Sequence, residues 1–139
     1  MELKHMNIYH PLVLKKLFRL EFKSLLDFGC GYDLIELRAL RKKFPKAKLS
    51  GFDWILNDMS FAYAEAFDID LKKLDWNAGG LPYKDKSMDV CLSSATMICM
   101  KDVDTAIKEM KRIAKRYIVL VELQGEYKDF TTGESLETY

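Results

Sequence analysis

The chain has 139 residues, a length that fits one domain, taken here as residues 1–139. Hydrophobic residues make up 49% and charged residues 31%, which excludes a disordered chain and leaves enough apolar surface for a core without staples. Lys plus Arg number 22 against 21 Asp plus Glu, so the formal charge of +1 offers no overall field toward nucleic acid or anionic lipid.

The segment 1–23 reads as an N-terminal helical region, with Leu12 to Phe22 carrying apolar residues at 13, 14, 17, 18 and 20 and Pro11 at its start. Its apolar stretch is broken by Lys15 and Lys16, too short for a signal peptide or a membrane span. Ser24 to Phe28 is a buried strand that stops at Gly29. Leu34, Leu37, Leu40 and Phe44 share one helical face, and Pro45 ends that helix. Lys48 to Phe52 is a second strand ending at Asp53. Asn57 or Asp58 caps a third helix through Phe61, Ala62, Ala64 and Ala66. Leu71 to Leu74 is a short strand ending at Asp75, and Ala78 to Pro82 is rich in turn formers. Met88 to Ser93 is a central strand. Val103, Ala106, Ile107, Met110, Ile113 and Ala114 form a helical stripe capped by Asp102 or Asp104. Tyr117 to Val121 is the strongest strand signal, and a polar tail runs over 124–139.

Strands that alternate with helices of about ten residues demand parallel pairing through right-handed crossovers. The expectation is an α/β, doubly wound, mostly parallel Rossmann-like sheet of about five strands with helices on both faces. Ligands of such sheets bind beyond the carboxyl ends of the strands, so the residues after each strand matter most.

After the first strand come Asp27-Phe28-Gly29-Cys30-Gly31. Two glycines one residue apart permit a tight turn and close ligand approach, and the next helix offers free N–H groups to an anion. The bland alternative is an ordinary strand-to-helix turn. Asp53 and Trp54 follow the second strand: the acid suits the two hydroxyls of a ribose and the indole suits a base face, or else they are a cap and a core residue. Asp75 and Trp76 follow the third strand, where a carboxylate can receive the exocyclic amine of adenine or simply face solvent. Three acids at three successive strand ends carry more weight together than any one of them.

LLDFGCG, FPKAKLSGFDW, LDWNAGGLPYKDKSMDVCLSSATM and DTAIKEMKRI, in that order and spacing, resemble the class I S-adenosylmethionine-dependent methyltransferases from about Leu25 to Glu122. The resemblance implies S-adenosyl-L-methionine (SAM) as cofactor. Asp27, Gly29 and Gly31 would hold its methionine end, with Phe28 among the cofactor-binding residues. Asp53 would take the ribose hydroxyls, with Trp54 beside the adenine. Asp75 and Trp76 would flank the base, and Ser93 would lie near the methionine moiety. Two departures stand out. Asp33 occupies the place of a third small residue in the glycine turn, where it can cap the helix or bond an ammonium but repels a carboxylate. The family also continues past its fifth strand with a helix and two strands, for which the residues from Gln124 to Tyr139 are too few. Leu34 at the last position breaks GxGxxG and argues against a dinucleotide domain.

Methyl transfer needs mainly orientation, and a general base only where the acceptor must lose a proton. Tyr9, His10, Tyr83 and Cys99 are the available candidates, each better read as structural. Ser93-Ser94-Ala95 differs from the motif of amino-methylating DNA enzymes, so DNA is not expected as substrate. The expected activity is methyl transfer to a small-molecule or protein acceptor; the alternative is a non-catalytic SAM-binding or regulatory subunit. Cys30, Cys91 and Cys99 are odd in number and form no CxxC, so no metal site or disulfide framework is expected and the cytoplasm suits the chain. The strand at 117–123 needs cover, from the tail, from a second copy in a homodimer, or from a partner subunit.

Overall fold

Ser24–Phe28 and Met88–Ser94 bury residues at odd and even positions alike, so the sheet they build must be covered on both faces. The computed structural model describes residues 14–75, 80–94, 102–121 and, as backbone, 136–138. In chain order the elements are β1 (Ser24–Phe28), α1 (Ile35–Lys43), β2 (Lys48–Asp53), α2 (Asp58–Phe67), β3 (Ile69–Lys73), β4 (Met88–Ser94), α3 (Val103–Ile113), β5 (Ala114–Val121) and β6 (Leu136–Thr138). The sheet order is β3-β2-β1-β4-β5-β6, with every neighbouring pair parallel. This is the doubly wound α/β sheet expected, with a short sixth strand drawn from the tail.

Two apolar layers sandwich the sheet. Leu25, Leu49, Leu92 and Val119 pack with Leu34, Leu37, Leu40 and Ala64 on the side of α1 and α2. Leu26, Phe52, Ile118 and Leu120 pack with Met110 and Ile113 on the side of α3. Phe28 pairs in register with Phe52 on one side and Ser93 on the other, so β1, β2 and β4 finish at one level. Strand order reverses between β1 and β4, which opens a crevice at that level.

The helix starts are built differently. At α2, Asn57 Oδ1 accepts from Ser60 N–H at 3.0 Å while Ser60 Oγ accepts from Asn57 N–H at 3.1 Å, a reciprocal capping box. At α3, Asp102 Oδ1 accepts from Thr105 N–H at 3.0 Å. At α1 the cap position is Leu34, in the left-handed region with φ 53°, and no side chain caps it. Asp33 therefore does not cap this helix. Full burial of the Leu34 side chain, which belongs to the core, accounts for a conformation that leucine otherwise avoids.

The first helix is shorter than the sequence suggests. Helical geometry covers 14–17 and tightens into turns at 18–20, where Leu20 N–H donates to Leu17 O at 3.0 Å; residues 12 and 13 lie outside the described residues. Phe22 leaves the helical path to pack on Phe44, ring centroids 4.5 Å apart, and Lys23 N–H donates to Asp89 Oδ2 at 2.7 Å. β3 begins two residues early, at Ile69. β5 begins at Ala114 because α3 runs into it without a linker. β6 pairs Leu136, Glu137 and Thr138 with Ile118, Val119 and Leu120, so the tail itself covers the middle of the β5 edge.

Candidate functional site

Gly29 (φ 69°) and Gly31 (φ 75°) both lie in the left-handed region, which explains glycine at each place. Between them, Cys30 N–H donates to Phe52 O at 3.0 Å and ties the turn to the end of β2. Gly31 N–H then donates to Asp53 Oδ2 at 2.9 Å. Asp53 Oδ1 accepts from Trp54 N–H at 2.7 Å and from Ile55 N–H at 3.4 Å. One carboxylate thus gathers three backbone donors and fixes the glycine turn to the β2–α2 turn. Leu74 N–H donates to Asp53 O at 3.0 Å, which brings the end of β3 to the same edge.

The sequence-predicted residues fall along this edge in sheet order. Asp75 is exposed two residues beyond β3, and Asp53 is 6% exposed at the end of β2 with Trp54 standing out beside it at 58%. Asp27, in the interior of the sheet at 1% exposure, leads into Gly29 and Gly31 at the end of β1. Phe28 and Ser93, side by side in register and both buried, form the floor between β1 and β4. Trp76 lies outside the described residues. Burial pushes the Cys30 thiol well above its usual range, and the nearby Asp27 and Asp53 carboxylates push it the same way. Cys30 is therefore a protonated packing residue ringed by the acids of the site.

Of the residues considered as a base, Tyr9, His10 and Cys99 lie outside the described residues. Tyr83 is in the α3-side core against Phe52, with its hydroxyl buried and its pKa raised by that burial. A phenol so placed stays protonated at neutral pH and does not act as a base. Among the described residues, no group of three or more His, Cys, Asp or Glu is arranged to hold a metal ion, and no helix is long and apolar enough to cross a membrane.

The profile of a family described as a methyltransferase domain matches residues 26–120, which takes in the glycine turn, Asp53 and nearly all of β5. The chain belongs to the class I SAM-dependent methyltransferase family. Among solved structures, a SAM-dependent methyltransferase from Aquifex aeolicus superposes with a TM-score of 0.69 at 20% identity over 96% of this chain and 73% of that one. A putative methyltransferase from Methanococcus maripaludis gives 0.66 at 20% identity, over 83% and 57%. A putative methyltransferase from Haloferax volcanii, solved in complex with the Trm112 methyltransferase activator, gives 0.65 at 24% identity, over 81% and 51%. This methyltransferase domain spans only 57% and 50% of the first two solved chains it matches. No curated protein matches the sequence.

Two features of the methyltransferase domain went unread in the sequence. Gly51, inside β2, lies under the turn: a Cβ there would stand 2.7 Å from Leu37 Cδ1 and 3.1 Å from Cys30 Cβ and Sγ. A glycine within a strand was the available signal. The second is a clamp on the loop before β4. Glu109 Oε1 accepts from Leu81 N–H at 2.7 Å, while Arg112 donates to Leu81 O at 3.0 Å, to Tyr83 O at 2.6 Å and to Asp85 at 2.9 Å. The signal was Glu109 on the apolar stripe of α3, one turn before Arg112.

Proposed function

We propose that the domain binds SAM across the carboxyl ends of β1, β2 and β4 and passes its methyl group to a small-molecule or protein acceptor. The observation that carries this reading is the bond from Gly31 N–H to the Asp53 carboxylate, which holds a turn free of side chains against a strand-end acid where the strand order reverses.

The residues fit the cofactor. A Cβ on Gly31 would meet only Asp33 Oδ1, at 3.8 Å, so the space over the turn admits the methionine end. Asp27 supplies negative charge for its ammonium, and the start of α1, lacking a side-chain cap, offers N–H groups to its carboxylate. Asp53 Oδ2 accepts one backbone N–H and retains capacity for a ribose hydroxyl. Trp54 suits the adenine face, Asp75 and Trp76 flank the base, and Phe28 with Ser93 underlies the methionine moiety. Asp33 favours the ammonium side of that moiety over the carboxylate side.

When bound, SAM supplies an activated methyl group for in-line displacement. The chain would hold the donor in a fixed orientation, an effect worth roughly several kcal/mol, with Asp27 toward the ammonium and Asp53 toward the ribose. An acceptor with a free electron pair needs no base. DNA bases stay outside this reading because Ser93-Ser94-Ala95 lacks the motif of DNA amino-methylating enzymes. Free, buried Cys30 and Cys91 support a cytoplasmic setting.

A second reading, a SAM-binding subunit that acts beside a partner, is favoured by the exposed Ile55, Met59 and Phe61 around the start of α2. The Haloferax neighbour, solved with an activator, supports the same idea. Calorimetry with SAM, its demethylated product and NAD tests the binding claim: heat from the first two is expected, and heat from NAD alone overturns it. Transfer of labelled methyl groups to small-molecule or protein pools supports the enzyme. Tight SAM binding without transfer, restored by an added partner, supports the second reading.

A further inference from the structure

Away from the site, two adjoining cavities of about 460 and 520 Å³ open at the opposite end of the sheet. They share Phe22, Lys23 and Phe44 and so form one groove along the amino ends of β1, β2, β4 and β5. The Phe22–Phe44 ring pair makes its floor. Its walls carry five cations, Lys23, Lys43, Lys46, Lys115 and Arg116, against two acids, Glu21 and Asp89. All five cations are exposed. Phe18, 40% exposed, leans on Phe44 with centroids 6.0 Å apart, and the Lys43 ammonium lies 5.7 Å from its ring centre. A formal charge of only +1 conceals this face, because the acids of the cofactor site lie a strand length away, roughly 17–23 Å for strands of this length.

We infer that this groove is a docking surface for single-stranded RNA. Cations spread over three chain segments match several phosphates in a row rather than one anion, and phenylalanine rings among them offer the sequence-tolerant platform on which unpaired bases stack. Glu21 and Asp89 decide between the sugars: carboxylates repel phosphate but accept ribose 2′-hydroxyls, which DNA lacks. An acidic peptide uses the lysines equally well but leaves the rings without a role and meets repulsion from Glu21 and Asp89.

The test is fluorescence anisotropy of the full chain with a labelled 15-nucleotide RNA of mixed sequence. Three to five phosphate contacts, at a salt slope of about 0.7 each, weaken binding roughly 20- to 130-fold between 50 and 200 mM salt. Lys46→Glu with Lys115→Glu, both exposed, is expected to lower RNA affinity at least tenfold while melting temperature and SAM binding stay unchanged. Phe18→Ala is expected to lower it about fivefold or more through lost stacking. Unchanged affinity in the double variant overturns the inference. So does a poly-glutamate peptide of equal charge that displaces the RNA as well as unlabelled RNA does, or a DNA of the same sequence that binds as tightly.

Discussion

Asp53→Ala is the most informative single change, because the structure gives that carboxylate one duty in the turn and the proposed function gives it a second. It accepts from Gly31, Trp54 and Ile55. The latter two lie on an exposed turn where water can replace the carboxylate; Gly31 is half-buried. The structural loss is therefore close to one hydrogen bond to a charged group, about 1.5–3 kcal/mol. For a chain of this size that lowers Tm by roughly 5–10 °C. The binding loss is separate: without an acceptor for the ribose, SAM affinity should fall about 5- to 150-fold. Calorimetry with the demethylated product and its 2′-deoxy analogue divides the two duties. In the natural protein the deoxy analogue binds more weakly; in Asp53→Ala the two bind alike. An equal deoxy penalty in both proteins means that Asp53 acts only through the turn. Unchanged Tm together with unchanged affinity refutes the reasoning altogether.

Gly51→Ala puts a methyl group 2.7 Å from Leu37 Cδ1, and an overpacking cost of about 1–3 kcal/mol should appear as a lower urea midpoint with an unchanged slope. The Arg112 hydrogen bond, ahead of the Leu81 N–H, holds the Glu109 carboxyl below its ordinary value of 4.5. Its contribution to stability is therefore full above pH 4.5 and lost as pH falls through the lower folded value; the stability gap between the natural protein and Glu109→Gln, from urea melts at several pH values, should shrink over that acid range and be flat above pH 5. Burial raises the Cys30 and Cys91 thiols, so mass spectrometry should find both unmodified by iodoacetamide at pH 7.5 until urea is added.

Legibility followed the range of the interactions. Strand runs such as Leu25–Phe28 and the α3 stripe of Ala106, Met110 and Ile113 are buried where their periodicity put them, because burial of contiguous apolar faces is written locally. The strand-end acids were readable because topology, not packing detail, sends strand ends to one edge. What could not be read depends on contacts between distant segments. The sequence placed Phe61 in α2 without saying which face it takes; it is 43% exposed, since Ser60 and Ala64 take the inner face. The early end of the first helix depends on Phe44, some twenty residues away, and on Asp89 beyond that. Asp53 was legible as a candidate ribose acceptor, yet nothing in its neighbours announced that it also binds Gly31. The basic groove was invisible for the same reason: its cations come from separate segments, and the sum of charges cancels them.

Gly29, Gly31 and Leu34 place three left-handed residues within six positions, and the last of them is a leucine. The unfolded chain has little tendency to adopt that sequence of dihedrals, so folding itself supplies the energy that imposes it. If the turn receives SAM as proposed, it is already held in one shape, and little ordering is left for the ligand to bring about. Affinity at such a site is set by contacts rather than by rearrangement, and its on-rate should show no slow conformational step.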